Sequence, residues 1–302
     1  MTFPQKLFIV SVKILSLLPW RILYCISDFL ALVLYFVVGY RKKVVYENLK
    51  NSFPEKSKKE ITKIIIQYYR HISDIIIETI CEEKIIPNLI QHINFKEREL
   101  IDRLYHSGKS IMFVGGHLGN WEWVGLSGQT LGPFKAKGVV KPLSSKFFND
   151  YVDNLRNKYS SGTIPFKQTL RVMIQHKAEQ FIYMLAIDQT PHRDEIRYWV
   201  DFLNQPTPVF LGTEKIAKAL DMPIVFFNCY RLKRGRYEIA LTLITETPKL
   251  TEEFEITNKI FSTLEQVIIT RPYNWLWSHR RWKYKDEYPK HLEQQAKIVN
   301  EN

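Results

Sequence analysis

Apolar and polar positions alternate differently in three stretches of the chain. Leu7 to Leu18 is largely apolar but only twelve residues long, too short to span a bilayer, and Pro19 ends it. Ile22 to Tyr40 follows, nineteen residues with Asp28 as the single charge. As a helix it would be ~28 Å long, against a hydrocarbon core of ~30 Å. This pattern predicts an N-terminal hydrophobic helix module, either as one span or as a shallow monotopic hairpin. A buried helix of a soluble domain fits the same pattern. No small-residue cleavage site precedes the basic run, so a removable signal peptide is not expected. Lys56 to Glu83 reads as a long helix, with Ile64, Ile65, Tyr68, Ile72, Ile75, Ile76 and Thr79 recurring every three or four residues.

From Ser110 the pattern changes to short apolar runs between amphipathic stretches. Ile111–Val114, Ala136–Val140, Phe181–Ile187, Ile224–Tyr230 and Tyr237–Ile244 read as strands. The last two flank Lys233-Arg234-Gly235-Arg236, a hairpin signal. Trp121–Leu131, Lys146–Tyr159, Leu170–His176, Gly212–Leu220 and Glu252–Thr270 read as helices. Strand–helix alternation predicts an α/β fold, a mixed central sheet with helices on both faces. No repeat, low-complexity tract or long linker divides it, so residues 1–45 and 46–302 are expected to be an anchoring segment and one catalytic domain.

Charge sharpens the N-terminal reading. The 302-residue chain carries +12. Residues 1–40 contribute +2 and residues 41–70 contribute +6. A basic cluster directly after an apolar segment is the pattern of an anionic membrane surface. Arg41-Lys42-Lys43 places the following domain on the cytoplasmic side by the positive-inside rule. Cys25, Cys81 and Cys229 are far apart and form no CxxC pair, which argues against a disulfide framework or a zinc site. Cys25 and Cys229 lie in apolar runs and are expected to pack.

The candidate chemistry sits in Ser110–Val124, SIMFVGGHLGNWEWV. His117 follows the C-terminal end of a predicted buried strand, where open α/β sheets place their sites. Gly115 and Gly116 allow a sharp turn and a close approach to a ligand. On a regular helix His117 and Glu122 would lie ~140° apart, so they meet only if His117 stays in the loop and Glu122 opens the helix. Glu122 would then hold one ring nitrogen and leave the other as a base near neutral pH. The N–H groups after the glycines are candidates for an oxyanion site. No His/Cys/Asp cluster has metal-ligand spacing, and Gly125-Leu126-Ser127-Gly128 is not a GxSxG elbow.

GGHLGNWEW resembles the HxxxxE box of the lipid A biosynthesis acyltransferases, the late-acylating branch of the glycerolipid acyltransferase superfamily. Tyr40–Glu55 (YRKKVVYENLKNSFPE), Ala186–Pro191 (AIDQTP), Val200–Val225 and Arg271–Lys283 (RPYNWLWSHRRWK) resemble further boxes of that family, in order, from about residue 5 to 285. Three positions depart from the common pattern: Gly115, Tyr273-Asn274 and the helix around Arg171.

The resemblance implies transfer of a fatty acyl group from an acyl thioester, acyl carrier protein or CoA, to a hydroxyl of a lipid A precursor. No other cofactor and no metal are implied. His117 would be the general base, Glu122 its partner, and Arg171 and Asp188 further catalytic positions. Gly116, Asn120, Gln189, Arg280 and Arg281 are the expected substrate-binding residues. The expected partners are acyl carrier protein, a glycolipid or lysolipid acceptor and the bacterial inner membrane surface. A lysophospholipid or acylated amino-acid lipid is the alternative acceptor, and an inactive lipid-binding protein the non-enzymatic alternative. Trp275, Trp277 and Trp282 among Arg280, Arg281 and Lys283 suit a membrane interface and packing better than nucleic acid.

Overall fold

A computed structural model of the chain describes residues 2–141, 145–159, 162–289 and 291–292. Helices α1 (Phe3–Leu17), α2 (Trp20–Leu32), α3 (Lys42–Ser52) and α4 (Lys58–Ile80) come first, with a π-helical turn, Val33–Val37, after α2. The α/β half runs α5 (Leu89–His92), β1 (Ile93–Phe95), α6 (Arg98–His106), β2 (Ile111–Gly115), α7 (Trp121–Ser127), β3 (Lys135–Val140) and α8 (Lys146–Tyr159). It continues through β4 (Thr163–Pro165), α9 (Thr169–Gln175), β5 (Phe181–Ala186), β6 (Tyr198–Phe202), β7 (Gln205–Val209), α10 (Gly212–Leu220), β8 (Ile224–Lys233), β9 (Arg236–Thr245) and α11 (Glu255–Thr270).

Seven strands form one sheet in the order β1-β9-β8-β2-β5-β3-β4, parallel except where β8 and β9 make the expected hairpin. Period-two alternation splits the central strands between two cores. Met112 and Val114 of β2 join α4, α11 and the C-terminal tryptophans on one face, while Ile111 and Phe113 join Trp123 and Leu104 on the other. The sheet is therefore mixed and covered on both faces.

The β6–β7 ribbon is not legible in the sequence pattern. Its two-residue turn, Leu203-Asn204, puts both residues at positive φ without a glycine (52° and 59°). Pro206 and Pro208 lie in β7, which pairs only with β6 and so tolerates residues that cannot donate.

Helix α4 is more than the isoleucine-faced helix its period suggests. His71, Asp74 and Glu78, at i, i+3 and i+7, form a polar stripe that is almost wholly buried. Asp74 accepts from Ser27 Oγ (2.6 Å), Arg231 Nη1 (2.6 Å) and Arg234 Nε (3.0 Å). Glu78 accepts from Tyr24 Oη (2.8 Å), Asn120 Nδ2 (2.8 Å), Tyr237 Oη (2.6 Å) and the Gly235 N–H (3.2 Å). Burial, joined by the Asp74 charge, raises the Glu78 pKa, and the Tyr237, Asn120 and Tyr24 donors only partly offset it.

The same stripe docks the N-terminal module. Trp20–Val37 is long and apolar enough to cross a membrane by length and composition. Yet Leu23, Ser27 and Ala31 of α2 are buried at four-residue spacing, and Asp28 accepts from Arg234 and lies 3.4 Å from Arg70. The charge that would oppose insertion is thus an ion-pair partner of α4 and of the β8–β9 hairpin. Phe8 of α1 packs edge-on against Phe147, Phe148 and Tyr151 of α8. Phe3, Leu7, Val10, Ile14 and Leu17 of α1, with Ile22, Phe29, Leu32 and Phe36 of the next segment, point outward. Cys25 lies exposed, contrary to the packing expected from its apolar run, whereas Cys229 is buried.

Replacing Glu78 by Leu leaves four donors, three of them buried, without an acceptor, a cost of about 3 kcal/mol. Urea unfolding followed by circular dichroism should show a lowered midpoint. A midpoint equal to that of the unsubstituted protein would mean that the network contributes nothing.

Candidate active site

Strands β2 and β5 run parallel with Gly115 opposite Ala186. Each chain continues two residues beyond that pair, and the two residues reached are His117 and Asp188. Sheet register therefore sets the encounter. The Asp188 carboxylate, 3% exposed, accepts the His117 N–H at Oδ2 (2.8 Å), His117 Nδ1 at Oδ1 (2.6 Å) and Trp275 Nε1 at Oδ2 (2.7 Å). Gly116 is required by this approach, because a Cβ there would lie 3.1 Å from Asp188 Oδ2 and 2.9 Å from Leu264. Gly119, at φ +57°, would put a Cβ 2.6 Å from the Cys229 carbonyl oxygen. Gly116 thus makes room for Asp188, whereas the sequence suggested a substrate contact.

Burial alone would raise the Asp188 pKa, but His117 and Trp275 hold it far below the ordinary carboxylate range. Burial likewise opposes a charged His117, yet the Asp188 carboxylate outweighs it and raises the imidazole pKa above 6.5. An ionised Asp188 can only accept, so Nδ1 carries the proton and Nε2 presents its lone pair. The Gln189 amide lies 3.3 Å from Nε2, and the Trp121 ring meets the imidazole edge-on at 5.2 Å.

Glu122 opens α7 as expected, but its partner is not His117. Both of its oxygens accept from Arg156 Nη2 of α8, at 3.0 and 2.9 Å. The expected pairing of Glu122 with a ring nitrogen is corrected to Asp188, because the register delivers Asp188 to Nδ1 while α7 carries Glu122 toward α8. Glu122 still acts on His117 through space, raising its pKa, with Arg156 opposing. Burial pushes the neighbouring Glu82 carboxyl up to about 8, an effect that Glu122 reinforces.

Arg156 was not among the expected residues. Its only signal is position, since Asn149, Asp153 and Arg156 recur at i, i+4 and i+7 on one face of α8. Arg171 is exposed on α9, which follows β4, and β4 lies three strands from β2, ~14 Å across the sheet. Among the described residues it makes no hydrogen bond or ion pair with His117, Glu122 or Asp188.

The remaining expected substrate contacts divide by burial. Gln189 borders the imidazole, and Arg280 is exposed. Asn120 is fully buried as the cap of α7, accepting from the Trp123 N–H (3.1 Å) and donating to Glu78. Arg281 is also fully buried, donating to the Pro208 carbonyl (2.8 Å), and burial lowers its pKa to about 9. Neither side chain presents a surface to a substrate. Trp275, Trp277 and Trp282 are core residues, 2%, 0% and 6% exposed, not interfacial ones. Among the described residues, no group of three or more His, Cys, Asp or Glu side chains is arranged to hold a metal ion.

Proton NMR of the histidine ring protons should show His117 titrating above 6.5. Asp188→Asn removes the group that raises the pKa, so burial takes over and the midpoint falls below 6.5. An unmoved midpoint would break the assignment of the pair.

The family described as bacterial lipid A biosynthesis acyltransferase matches residues 2–284, nearly the whole chain. No individual curated protein matches the chain significantly. The matched span contains the histidine box, the Asp188 loop and the tryptophan-rich segment that donates to Asp188. This chain belongs to the bacterial lipid A biosynthesis acyltransferase family.

Proposed function

We propose that the protein moves a fatty acyl chain from an acyl thioester, carried by acyl carrier protein, to a hydroxyl of a lipid A precursor. The observation that carries this reading is the His117–Asp188 hydrogen bond, which keeps the proton of the neutral ring on Nδ1 and leaves the Nε2 lone pair available beyond the ends of the parallel strands β2 and β5. An acceptor hydroxyl displaces the Gln189 amide and gives its proton to Nε2 as its oxygen attacks the thioester carbonyl carbon. The tetrahedral adduct collapses, the carbon–sulfur bond breaks, and the leaving thiolate takes the proton from the imidazolium. No group of the protein becomes acylated. Glu122, tied to Arg156, supplies a fixed charge pair beside the base.

The outward apolar residues of α1 and α2 support a module lying in a membrane interface, and the basic run Arg41-Lys42-Lys43 suits the anionic cytoplasmic face of the bacterial inner membrane. The ion pairs of Asp28 favour this over a span, since they hold α2 against the catalytic domain. A cleft of about 600 Å³ lined by Lys50, Lys56, Lys58 and Lys285 suits an anionic donor such as a phosphopantetheine-bearing carrier.

Mass spectrometry of lipid A from a deletion strain should reveal a missing secondary acyl chain, restored by the native gene and not by His117→Ala. An intact lipid A profile with an altered phospholipid or amino-acid lipid would overturn the acceptor assignment, and restoration by His117→Ala would overturn the base. The pH dependence of transfer follows from the base. Only neutral His117 accepts a proton, so the rate should climb as pH rises through a value above 6.5. Asp188→Asn should lower turnover by about 10²–10⁴ and move that limb to lower pH, whereas Glu122→Gln should move it less.

A further inference from the structure

Acyl transfer through a tetrahedral adduct requires hydrogen-bond donors aimed at the carbonyl oxygen as it gains charge. The turn after the glycine pair is where the sequence places them, and there the structure corrects the sequence. The His117 N–H is held by Asp188 (2.8 Å), the Leu118 N–H by the Gly116 carbonyl (2.8 Å) and the Gly119 N–H by the Asn274 carbonyl (3.0 Å). The Asn120 N–H is engaged with the Cys229 sulfur. None of these four N–H groups is free to meet an oxyanion, and a side chain is the alternative source of a donor.

His279 has the required chemistry. The Thr190 hydroxyl has one proton and lies 2.8 Å from the Arg281 carbonyl and 3.2 Å from that of Arg280. That proton is therefore committed to a carbonyl, and the contact at His279 Nε2 is made by the Thr190 backbone N–H, at 3.1 Å. A backbone N–H only donates, so Nε2 carries a lone pair and the ring proton sits on Nδ1. Nδ1 has no hydrogen-bond partner among the described residues and is not one of the sealed, unpartnered atoms of the core. The backbone around the ring is fixed, since the His279 carbonyl accepts from Asn48 Nδ2 and from the Arg281 N–H, each at 2.9 Å.

The location fits as well. Thr190 lies two residues beyond Asp188, with Gln189 between them against His117 Nε2. His279 is near enough to feel the charges of Asp188 and His117. Burial, reinforced by Arg281, His117 and Arg41, pushes its pKa down to about 4, so it stays neutral wherever His117 works as a base.

From this geometry we propose that His279 is a second catalytic histidine, whose Nδ1–H donates to the thioester carbonyl oxygen as it becomes an oxyanion. The proposal rests on the acyl-transfer reading of the site. As the acceptor oxygen bonds to the carbonyl carbon, its proton passes to His117 Nε2 and the carbonyl electron pair moves onto oxygen, held by His279. When the carbonyl re-forms, the sulfur leaves with the bond pair and takes the proton from His117. His279 keeps its own proton throughout.

The test uses the full chain with an acyl carrier protein thioester and the lipid A precursor. His279→Leu should lower kcat by about 10²–10³ with KM for both substrates within threefold, and leave the pH limb set by His117 in place. His279→Gln can accept from Thr190 through Oε1 and donate through Nε2, and should retain activity to within about tenfold. If His279→Leu does not fold, His279→Ala with added imidazole carries the test, since imidazole restores a donor and should raise the rate. Turnover of His279→Leu within threefold of wild type, or no response of His279→Ala to imidazole, would overturn the proposal. Absence of transfer by the wild-type protein would instead defeat the acyl-transfer reading itself.

Discussion

A buried carboxylate with three donors organises the catalytic half of the chain. Asp188 sits past the end of β5, receives two hydrogen bonds from His117 past the end of β2, and a third from Trp275 in the C-terminal segment. An ionised carboxylate in a dry environment persists only when its oxygens are satisfied, so these contacts are conditions for one another. The Trp275 bond fixes the segment that carries Asn274, whose carbonyl receives Gly119, and His279, whose ring receives Thr190. Core and site are therefore not separable here. Trp275, one of the tryptophans that fill one face of the sheet, also holds the charge beside His117.

The polar stripe of α4 extends this dependence to the N-terminal helices. Asp74 and Glu78 lie in the core at the junction of three segments: α2, the β8–β9 hairpin and the histidine box. The hairpin's Arg234 also reaches Asp28. The apolar outer face of α2 thus belongs to a helix fastened to the following domain by directed polar bonds, while α1 is held by the packing of Phe8 on α8. Hydrophobic burial alone would let α2 slide along α4, whereas a carboxylate with directed donors fixes its register.

Much of this was legible in residue order. The boundaries of α8 and α10 match their sequence expectations, and most other helices and strands fall within a few residues, because each has a clean apolar period and marked ends. Helix geometry set a condition for His117 and Glu122 to meet, the one in the loop and the other in the first helical turn. The structure meets the condition, but the contact is not made. Partnership was not legible. Asp188 lies 71 residues from His117, and Arg156 lies 34 from Glu122, and those contacts are made by strand register and by the angle between α7 and α8. Local period has no access to either. Three-residue edge strands such as β1 and β4 carry too few positions to show alternation. The prolines of β7 argue against a strand unless its edge position is known. The buried stripe of α4 was obscured for a related reason. Charged letters in a helix suggest a wet face, and only the surrounding tyrosines and arginines reveal a dry one.

The pairing of Gly115 with Ala186 also makes loop length a property under constraint. From that pair the chain takes two steps on each side to reach His117 and Asp188. Adding or deleting one residue in either connection would carry the side chain past its partner, and the Cβ limit at Gly116 leaves no slack to absorb the change. Insertions and deletions should therefore be excluded between 115 and 117 and between 186 and 188, even where substitutions are accepted. In this part of the protein, spacing fixes the His117–Asp188 pair as firmly as the two side chains themselves do.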